Sequence, residues 1–252
     1  MLKSLFGRRK SSAGPPCTPD GTRIYAVGDI HGRLDLLTDL RAQIAQDAAN
    51  ADGKRCVVVY LGDYIDRGED SAGVIDCLAG EPVKGCEQVC LMGNHEEMLL
   101  TFLDDVSIGS MWVSNGGDTT LLSYGSGAKG EATAEQRMRG MQQSLREKLP
   151  PRHEHFMRTL QLCHVEGGYV FVHAGVAPKR PLEKQTSRDL LWIREEFLQS
   201  DRDHGHCVVH GHTIYEQPEF RFNRIGIDTG AYFSGVLTCL VLEGDERRLL
   251  QT

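Results

Sequence analysis

Five short turns in the sequence combine glycine with side chains that can bind a metal ion. In chain order they are Gly28-Asp29-Ile30-His31-Gly32, Gly62-Asp63-Tyr64-Ile65-Asp66-Arg67-Gly68, Gly93-Asn94-His95-Glu96, His173-Ala174-Gly175 and His210-Gly211-His212-Thr213. Oxygen and imidazole ligands without thiolates suit manganese, iron or zinc. In two-metal hydrolytic sites a shared carboxylate holds the ions about 3.5 to 4 Å apart. The turns are therefore typical of a hydrolase with two divalent ions.

The charge of such a site suits phosphate esters. Two divalent cations facing Asp29 and Asp63 would leave about two positive charges, which match a phosphate dianion. Between two cations the pKa of a bound water falls toward about 7, and the resulting hydroxide can attack phosphorus without a protein nucleophile. Each turn alone is weak evidence, because a Gly-Asp pair usually marks only a turn. Five such turns in order indicate one shared site.

Predicted strands lead into these turns. Short apolar runs rich in β-branched residues lie at 24–27, 57–61, 89–92, 169–172 and 207–209. Helical spacing follows the first run, where Leu37, Leu40, Ile44 and Ala48 repeat at intervals of three and four residues. A less regular helical spacing follows the third run. Alternating strands and helices predict an α/β domain, and in such domains ligands bind outside the carboxyl ends of the strands.

The glycine-rich motifs resemble those of a known family. The first three turns look like the signature of the phosphoprotein phosphatase branch of the calcineurin-like metallophosphoesterases. The chain is most similar to the compact bacterial and phage lambda type of serine/threonine protein phosphatase, over about residues 23–242. The resemblance implies a two-sheet β-sandwich flanked by helices, with a metal site at the carboxyl ends of the strands.

Carried over position by position, the resemblance implies ligands for two divalent metal ions. We expect Mn2+, with iron or zinc as alternatives. Asp29 and His31 are implied on the first ion, and Asp63 is implied as the bridge between both ions. The ligands implied on the second ion are Asn94, His173 and His212.

The resemblance also implies catalytic roles. His95 matches the family's general acid, and Asp66 matches the carboxylate that orients it. Arg67 and Arg194 look like the family's phosphate-binding arginines, and we place Arg194 on a helix with Trp192. Independent chemistry supports these roles. A histidine backed by a carboxylate can deliver a proton to the leaving oxygen, and guanidinium groups can clamp phosphoryl oxygens.

Other polar residues have a structural interpretation beside a functional one. His210 faces either the rim of the site or a backbone carbonyl, and we favour the structural role. His204 and His206 could suggest another metal site, but a solvated loop is the better interpretation. The stretch 112–118 could line the substrate groove or cap an inserted segment. Asp228 could hold a histidine ligand in place or belong to an ordinary turn.

Composition excludes several classes of protein. The 252 residues carry 28 Lys and Arg against 35 Asp and Glu, a formal net charge of −7, which gives no field to hold nucleic acid. The apolar runs are far shorter than the roughly 20 residues that span a bilayer. The N-terminus carries its basic residues after its few apolar ones, the reverse of a secretory signal. Eight cysteines form no C-x-x-C pair. We expect a cytoplasmic protein without a membrane span or a nucleic-acid partner.

The chain divides into a leader and one catalytic domain. Residues 1–21 are rich in basic residues, glycine and proline, which predicts a disordered leader. Residues 22–252 form the metallophosphoesterase domain. Within it, a glycine-rich stretch followed by a charged pattern that predicts a helix over 131–148 indicates an inserted cap at about 105–165.

The resemblance implies a phosphatase that acts on phosphoserine or phosphothreonine in proteins, with phosphotyrosine as a further substrate. A hydrolase of dinucleoside polyphosphates such as diadenosine tetraphosphate is an alternative, although its symmetrical type typically has Ala in place of Asp66. A non-catalytic phosphopeptide-binding module is a third hypothesis, and an intact His95 argues against it. Met92 and Ala174 depart from the eukaryotic pattern, so we expect no regulatory subunit.

Overall fold

The computed structural model describes residues 15–127, 130 and 133–252, which contain two five-stranded sheets. The strands are β1 (Thr22–Val27), β2 (Arg55–Tyr60), β3 (Cys86–Cys90), β4 (Cys163–Glu166), β5 (Tyr169–Val172), β6 (Cys207–His210), β7 (Glu219–Phe220), β8 (Arg224–Gly226), β9 (Thr238–Glu243) and β10 (Glu246–Gln251). The first sheet has the order β10-β9-β1-β2-β3 and the second has the order β4-β5-β6-β8-β7.

Each sheet has three parallel strands. In the first sheet β1, β2 and β3 are parallel, and in the second β5, β6 and β8 are parallel. Strands β9 and β4 join these groups in the antiparallel direction. The carboxyl ends of the parallel strands within each sheet therefore lie at one edge of that sheet, and the turns that follow them meet there.

Helices cover both outer faces. They are α1 (Leu34–Ala49), α2 (Ser71–Leu78), α3 (Asn94–Asp104), α4 (Gly109–Trp112), α5 (Asp118–Ser123), α6 (Ala134–Lys148), α7 (Pro151–Arg158), α8 (Ser187–Trp192), α9 (Glu195–Leu198) and α10 (Ala231–Ser234). A π-helical turn at Val113–Gly117 joins α4 to α5. The predicted sandwich of two sheets flanked by helices is confirmed.

The two-residue period of the strands divides the core into layers. In β1, Ile24 and Ala26 pack among residues of both sheets, whereas Tyr25 and Val27 pack against the helices of the first sheet. All four side chains are fully buried. Full burial of an aliphatic side chain contributes about 1.5–3 kcal/mol. This packing fixes the strand from which the first turn of the site emerges.

The segment predicted as an inserted cap packs into the domain. Trp112, Leu121, Leu145 and Met157 are buried in the same core as the helix-facing side of β1. The reason is that this segment supplies apolar side chains to the outer layer formed by α2 and α3. Helix α6 accounts for most of the predicted charged helix, of which residues 131 and 132 lie outside the described residues.

The leader differs in part from the prediction. Residues 1–14 lie outside the described residues. The following segment is hydrogen-bonded and not disordered, because it meets turns of both sheets. The carbonyl of Cys17 accepts from the N–H of Gly168 at 2.8 Å, and the N–H of Thr18 donates to the carbonyl of Gly244 at 3.0 Å. Among the described helices, none has the length and apolar character needed to cross a membrane.

Candidate metal centre

The six implied metal ligands lie at the carboxyl ends of five parallel strands. Each is at most 7 % exposed, and the set is Asp29 after β1, His31 after β1, Asp63 after β2, Asn94 after β3, His173 after β5 and His212 after β6. Two groups of side chains each have ligand atoms that all lie within 4.8 Å of one another. One group is His31, Asp63 and His95, and the other is Asp63, His173 and His212. Asp63 belongs to both groups, as a bridging ligand would.

The second of these groups is tightly packed around His173. Its Nε2 lies 3.4 Å from Oδ2 of Asp63 and 2.9 Å from Oδ1 of Asn94. The same nitrogen lies 3.1 Å from Nδ1 of His212. One carboxylate, one amide oxygen and two imidazole nitrogens thus converge, which is the donor set expected for one divalent ion.

The first group meets the same carboxylate oxygen of Asp63 as the second. Nε2 of His31 lies 3.6 Å from Oδ2 of Asp63. The carboxylate of Asp29 accepts the backbone N–H of His212 at 3.0 and 3.2 Å from its two oxygens. That contact requires glycine at position 211, because a Cβ there would collide with the Asp29 carboxylate.

Backbone carbonyls orient two of the imidazoles. Nδ1 of His31 lies 2.8 Å from the carbonyl of Ile65, and Nδ1 of His173 lies 3.0 Å from the carbonyl of Leu61. Since a carbonyl only accepts, each Nδ1 carries a proton, and the ring orientation that results turns each Nε2 toward the site. Burial lowers the pKa of His31 to about 3 and that of His212 to about 2, so both rings are neutral. Neutral imidazoles with fixed lone pairs are competent metal ligands.

Three buried carboxylates lie at this centre. Burial and the neighbouring Asp228 and Asp63 raise the pKa of Asp29 well above its ordinary value. Burial also raises the pKa of Asp228, to about 6. Burial opposes ionisation of Asp63 too, but the imidazoles of His173 and His95 hold its pKa well below the usual range. Bound cations would stabilise the charged form of these buried carboxylates.

His95 and Asp66 form a buried pair next to this centre. Nδ1 of His95 lies 2.6 Å from Oδ2 of Asp66, while its Nε2 lies 3.8 Å from Oδ2 of Asp63. Burial lowers the pKa of His95, but the carboxylates of Asp63 and Asp66 outweigh it and raise the pKa above its ordinary value. The pair places an imidazole nitrogen, backed by a carboxylate, toward the metal ligands.

Residues of the inserted segment hold Asp66, and the sequence interpretation missed them. Trp112 Nε1 donates to Oδ2 of Asp66 at 2.9 Å, and the hydroxyl of Thr120 donates to Oδ1 at 2.6 Å. The backbone N–H of Asp66 donates to the same hydroxyl oxygen at 2.9 Å. The stretch 112–118 was expected to line a groove or cap the insertion, but Trp112 is fully buried against the acid pair.

Arg67 reaches the centre from the second turn. Its Nη1 lies 2.8 Å from Nε2 of His31 and its Nη2 lies 3.1 Å from Nε2 of His95. The guanidinium also stacks 5.0 Å from the ring centre of Tyr232. The predicted phosphate-binding arginine therefore lies between His31 and the predicted acid, His95.

Arg194 lies at the opposite side, near His212. Its Nη1 donates to the carbonyl of His212 at 3.2 Å and to the hydroxyl of Thr213 at 3.3 Å. The prediction of a helix through Arg194 is wrong. Its backbone has φ −133° and ψ −99°, and it separates α8 from α9. This break directs the guanidinium toward the β6 turn.

A sequence profile of the calcineurin-like phosphoesterases matches residues 22–229, nearly all of the sandwich and every strand-end turn described above. The chain belongs to the calcineurin-like phosphoesterase family. This membership confirms the resemblance drawn from the glycine-rich turns.

Similar metallophosphoesterases have different substrates. Serine/threonine-protein phosphatase 1 of Salmonella typhimurium is 31 % identical over 224 residues, which cover 85 % of this chain and 89 % of that protein. The asymmetrical bis(5'-nucleosyl)-tetraphosphatase of Oceanobacillus iheyensis is 26 % identical over 234 residues, or 86 % and 87 % of the two chains. The chain is thus homologous to bacterial serine/threonine phosphatases, and its homologues also include nucleotide hydrolases.

A solved structure has the same calcineurin-like fold. A protein assigned provisionally as a diadenosine tetraphosphatase superimposes with a TM-score of 0.63 at 19 % sequence identity. The superposition covers 93 % of this chain and 95 % of that protein. At this identity the likeness supports the fold alone.

Backbone strain in this metallophosphoesterase concentrates at its site. Among the described residues, six residues other than glycine have a positive φ, and one of them is Asp52. The other five belong to the strand-end turns and are His31, Asp63, Asp66, Arg67 and His212. Such conformations cost about 1–2 kcal/mol each. The surrounding sandwich holds these side chains in positions that a relaxed turn would not give.

Glu96 fastens two of the strand-end turns together. Its carboxylate accepts the backbone N–H groups of Gly93 at 2.9 Å, Asp63 at 3.0 Å and Tyr64 at 2.8 Å. The sequence interpretation gave Glu96 no role of its own beyond its place in the third turn. The Gly-Asn-His-Glu spacing places the carboxylate where it can hold the turn that carries Asp63.

The remaining polar residues lie apart from the metal ligands or serve the backbone. Nδ1 of His210 lies 3.0 Å from the carbonyl of Gly211, in agreement with the structural interpretation. His204 and His206 border a separate cavity of about 210 Å³, and neither belongs to a metal-ligand group in the described residues. The carboxylate of Asp228 accepts from the N–H of Gly230 at 2.8 Å, so its side-chain hydrogen bond goes to its own turn and not to a histidine.

Proposed function

We propose that this metallophosphoesterase hydrolyses phosphoserine and phosphothreonine in proteins, with phosphotyrosine as a further substrate. The observation that carries the proposal is the buried His95–Asp66 pair facing Asp63. A seryl or threonyl oxygen leaves as a strongly basic alkoxide unless it receives a proton. A phosphate anhydride has a weakly basic leaving group and needs that proton much less. A positioned acid therefore favours an ester substrate.

The donor set fits two divalent ions, and Mn2+ is the ion we propose. Asp29 and His31 would hold the first ion, and Asp63 would bridge. Asn94, His173 and His212 would hold the second ion. Bound ions supply Lewis acidity and lower the pKa of water at the site. The carbonyl-oriented imidazoles of His31 and His173 support this assignment, because their Nε2 atoms already face Asp63.

The protein's own groups would carry the remaining steps. His95 would give its Nε2 proton to the leaving oxygen, while Asp66 keeps the ring oriented through Nδ1. Arg67 would release the imidazole nitrogens of His31 and His95 and bind phosphoryl oxygens instead. Arg194 would bind phosphate from the side of His212. Guanidinium groups suit this role because they match phosphoryl oxygens bidentately.

Hydrolysis of dinucleoside polyphosphates is the second candidate. Its support is the similarity to a bis(5'-nucleosyl)-tetraphosphatase over most of the chain. Asp66 distinguishes this chain from the symmetrical hydrolases only, so it does not decide against the asymmetrical type. The partner that we propose is a phosphoprotein or phosphopeptide and not a nucleic acid.

The two candidates are separated by one set of assays. The purified chain is given p-nitrophenyl phosphate, a phosphoserine peptide or diadenosine tetraphosphate, each with and without added Mn2+. We expect metal-dependent release of phosphate from the phosphoserine peptide. Its kcat/KM should be higher than that of diadenosine tetraphosphate. A strong preference for diadenosine tetraphosphate would overturn the proposal. Metal binding with no turnover of any substrate would instead indicate a binding module.

A further inference from the structure

A groove of about 680 Å³ lies beside the metal centre, between the start of α3 and the helices α8 and α9. Its lining includes Glu97, Met111, Trp192 and Glu196. Half of the surface of Met111 and 36 % of that of Trp192 are exposed. Large apolar side chains at the mouth of a site offer contact area to a ligand that extends beyond the reacting group.

On three segments, residues that line the groove lie within two positions of residues at or supporting the site. Glu97 stands two residues after His95 on α3. Met111 precedes Trp112, which donates to Asp66. On the third segment the lining residue Ile193 precedes Arg194. A substrate with its phosphate at the metal ligands would therefore extend its adjoining groups into this groove.

A hydrogen bond ties the two walls together. Trp192 Nε1 donates to Oε2 of Glu97 at 2.6 Å, which joins α8 to α3. The bond fixes the Glu97 carboxylate beside the exposed indole. In the described residues its other oxygen, Oε1, has no hydrogen-bond partner and remains available to a ligand.

The available charge in the groove is mainly negative. Asp189 also lines it, but its carboxylate is taken by Arg180 and by Thr186 of its own loop. Glu196 is exposed and, within the part of the chain that the structure describes, has no ion-pair partner. Arg188 is the one cationic lining residue among those described. Carboxylates beside an indole suit a long cationic side chain, whose stem packs on the ring while its head meets the acid.

We propose that this groove binds the residues next to the phosphorylated residue of a peptide and selects lysine or arginine there. The aliphatic stem would lie on Met111 and Trp192, and the charged head would reach Glu97 and Glu196. A dinucleoside polyphosphate carries further negative charge where the groove already has carboxylates, so the same feature disfavours it. The inference rests on the proposed phosphatase function.

The test uses three phosphoserine peptides that differ only in the residues flanking phosphoserine: lysine, alanine or glutamate. kcat/KM is measured for the Mn2+-loaded wild type and for Glu97→Gln, Glu196→Gln and the double variant. Glutamine keeps the volume of each side chain and can still accept from Trp192. The matched control is Glu246→Gln on β10, an exposed glutamate at the far edge of the first sheet.

We expect the wild type to prefer the lysine peptide over the glutamate peptide by about tenfold at low salt, since each exposed ion pair changes a binding constant by up to about fivefold. The preference should fall to about twofold or less in the double variant and stay in Glu246→Gln. It should shrink in 0.5 M salt, at a Debye length of only about 4 Å.

The outcomes separate this inference from the proposed function. Equal hydrolysis of all three peptides by the wild type would leave the phosphatase function standing and overturn the groove assignment. A lysine preference that survives in the double variant would likewise overturn it. If none of the peptides is hydrolysed and diadenosine tetraphosphate is, the proposed function fails and the inference fails with it.

Discussion

Trp112 donates a 2.9 Å hydrogen bond from Nε1 to Oδ2 of Asp66, and both side chains are fully buried. The same carboxylate oxygen lies 2.6 Å from Nδ1 of His95. An indole from the inserted segment therefore holds the carboxylate that orients the proposed general acid. This contact links the position of α4 to the proton-transfer chemistry of the site.

Replacing the indole should test that link. Trp112→Phe removes the N–H donor and leaves an aromatic ring against Phe102. We expect kcat to fall by about tenfold on phenyl phosphate, because a hydrogen bond to a charged group is lost. The loss should be smaller on p-nitrophenyl phosphate, whose leaving group needs less protonation. Tyr124→Phe is the control, since it removes a buried hydrogen bond to His153 elsewhere. Equal losses of kcat on both esters would show that Trp112 acts only through packing.

His95→Asn should separate the acid role from metal binding. Loss of a general acid typically costs about 10² to 10⁴ in rate, so we expect kcat to fall by that factor on poor leaving groups. The variant should still bind two metal ions, measured by metal analysis after gel filtration. Nε2 of His95 lies only 3.8 Å from Oδ2 of Asp63, so a ligand role is a real alternative. Loss of one ion in the variant would establish that alternative.

Asp63→Asn should weaken both metal ions together. Asp63 contributes to both groups of ligand atoms, and asparagine removes its negative charge. We expect apparent dissociation constants for Mn2+ to rise by at least about tenfold at both sites, measured by titration calorimetry. Asp35→Asn is the control, because that carboxylate is exposed and paired with Arg33. Two ions bound as tightly as in the wild type would contradict the bridging assignment.

Glu96→Gln should destabilise the apoprotein. The buried carboxylate accepts N–H groups from Gly93, Asp63 and Tyr64. Glutamine would direct its own N–H groups at some of these donors, and unsatisfied buried donors cost about 1–3 kcal/mol each. We expect the free energy of unfolding in urea to fall by about 2–4 kcal/mol. The matched change Glu147→Gln on the exposed face of α6 should alter it by less than about 0.5 kcal/mol.

The convergence of the candidate metal ligands could be predicted from sequence because the signal of the strand-end turns is local. Each candidate ligand follows a short apolar strand and lies within two residues of a glycine, and the carboxyl ends of parallel strands bring such turns together. The paired sheets followed from the family resemblance and not from the strand pattern. Asp63 illustrates why the local signal sufficed, since its neighbours in both metal groups come from turns of the same kind.

Contacts between distant segments were not predictable in this way. Trp112 and Thr120 meet Asp66 only because the inserted segment folds back onto α2 and α3, and no spacing in the sequence encodes that contact. The sequence interpretation places Arg194 on a helix with Trp192. Its backbone nevertheless breaks the helix where the guanidinium turns toward His212. Tertiary contacts overrode local preference at these positions.

The contribution of His210 to the stability of the metal-free chain should fall as the pH falls from 7 to 5. Burial lowers the pKa of His210 to about 4, whereas the unfolded chain titrates near 6.5. Between these values the unfolded state binds more protons than the folded state, so the free energy of unfolding decreases with decreasing pH. His210 alone should contribute about 2 kcal/mol to the decrease by pH 5.

Urea unfolding of the EDTA-treated chain at pH 7 and at pH 5 measures this change in the free energy of unfolding. His210→Gln cannot titrate, so its decrease should be smaller than that of the wild type by about this amount. Equal decreases in the two proteins would show that His210 is already protonated in the folded state at pH 5 or exposed to solvent.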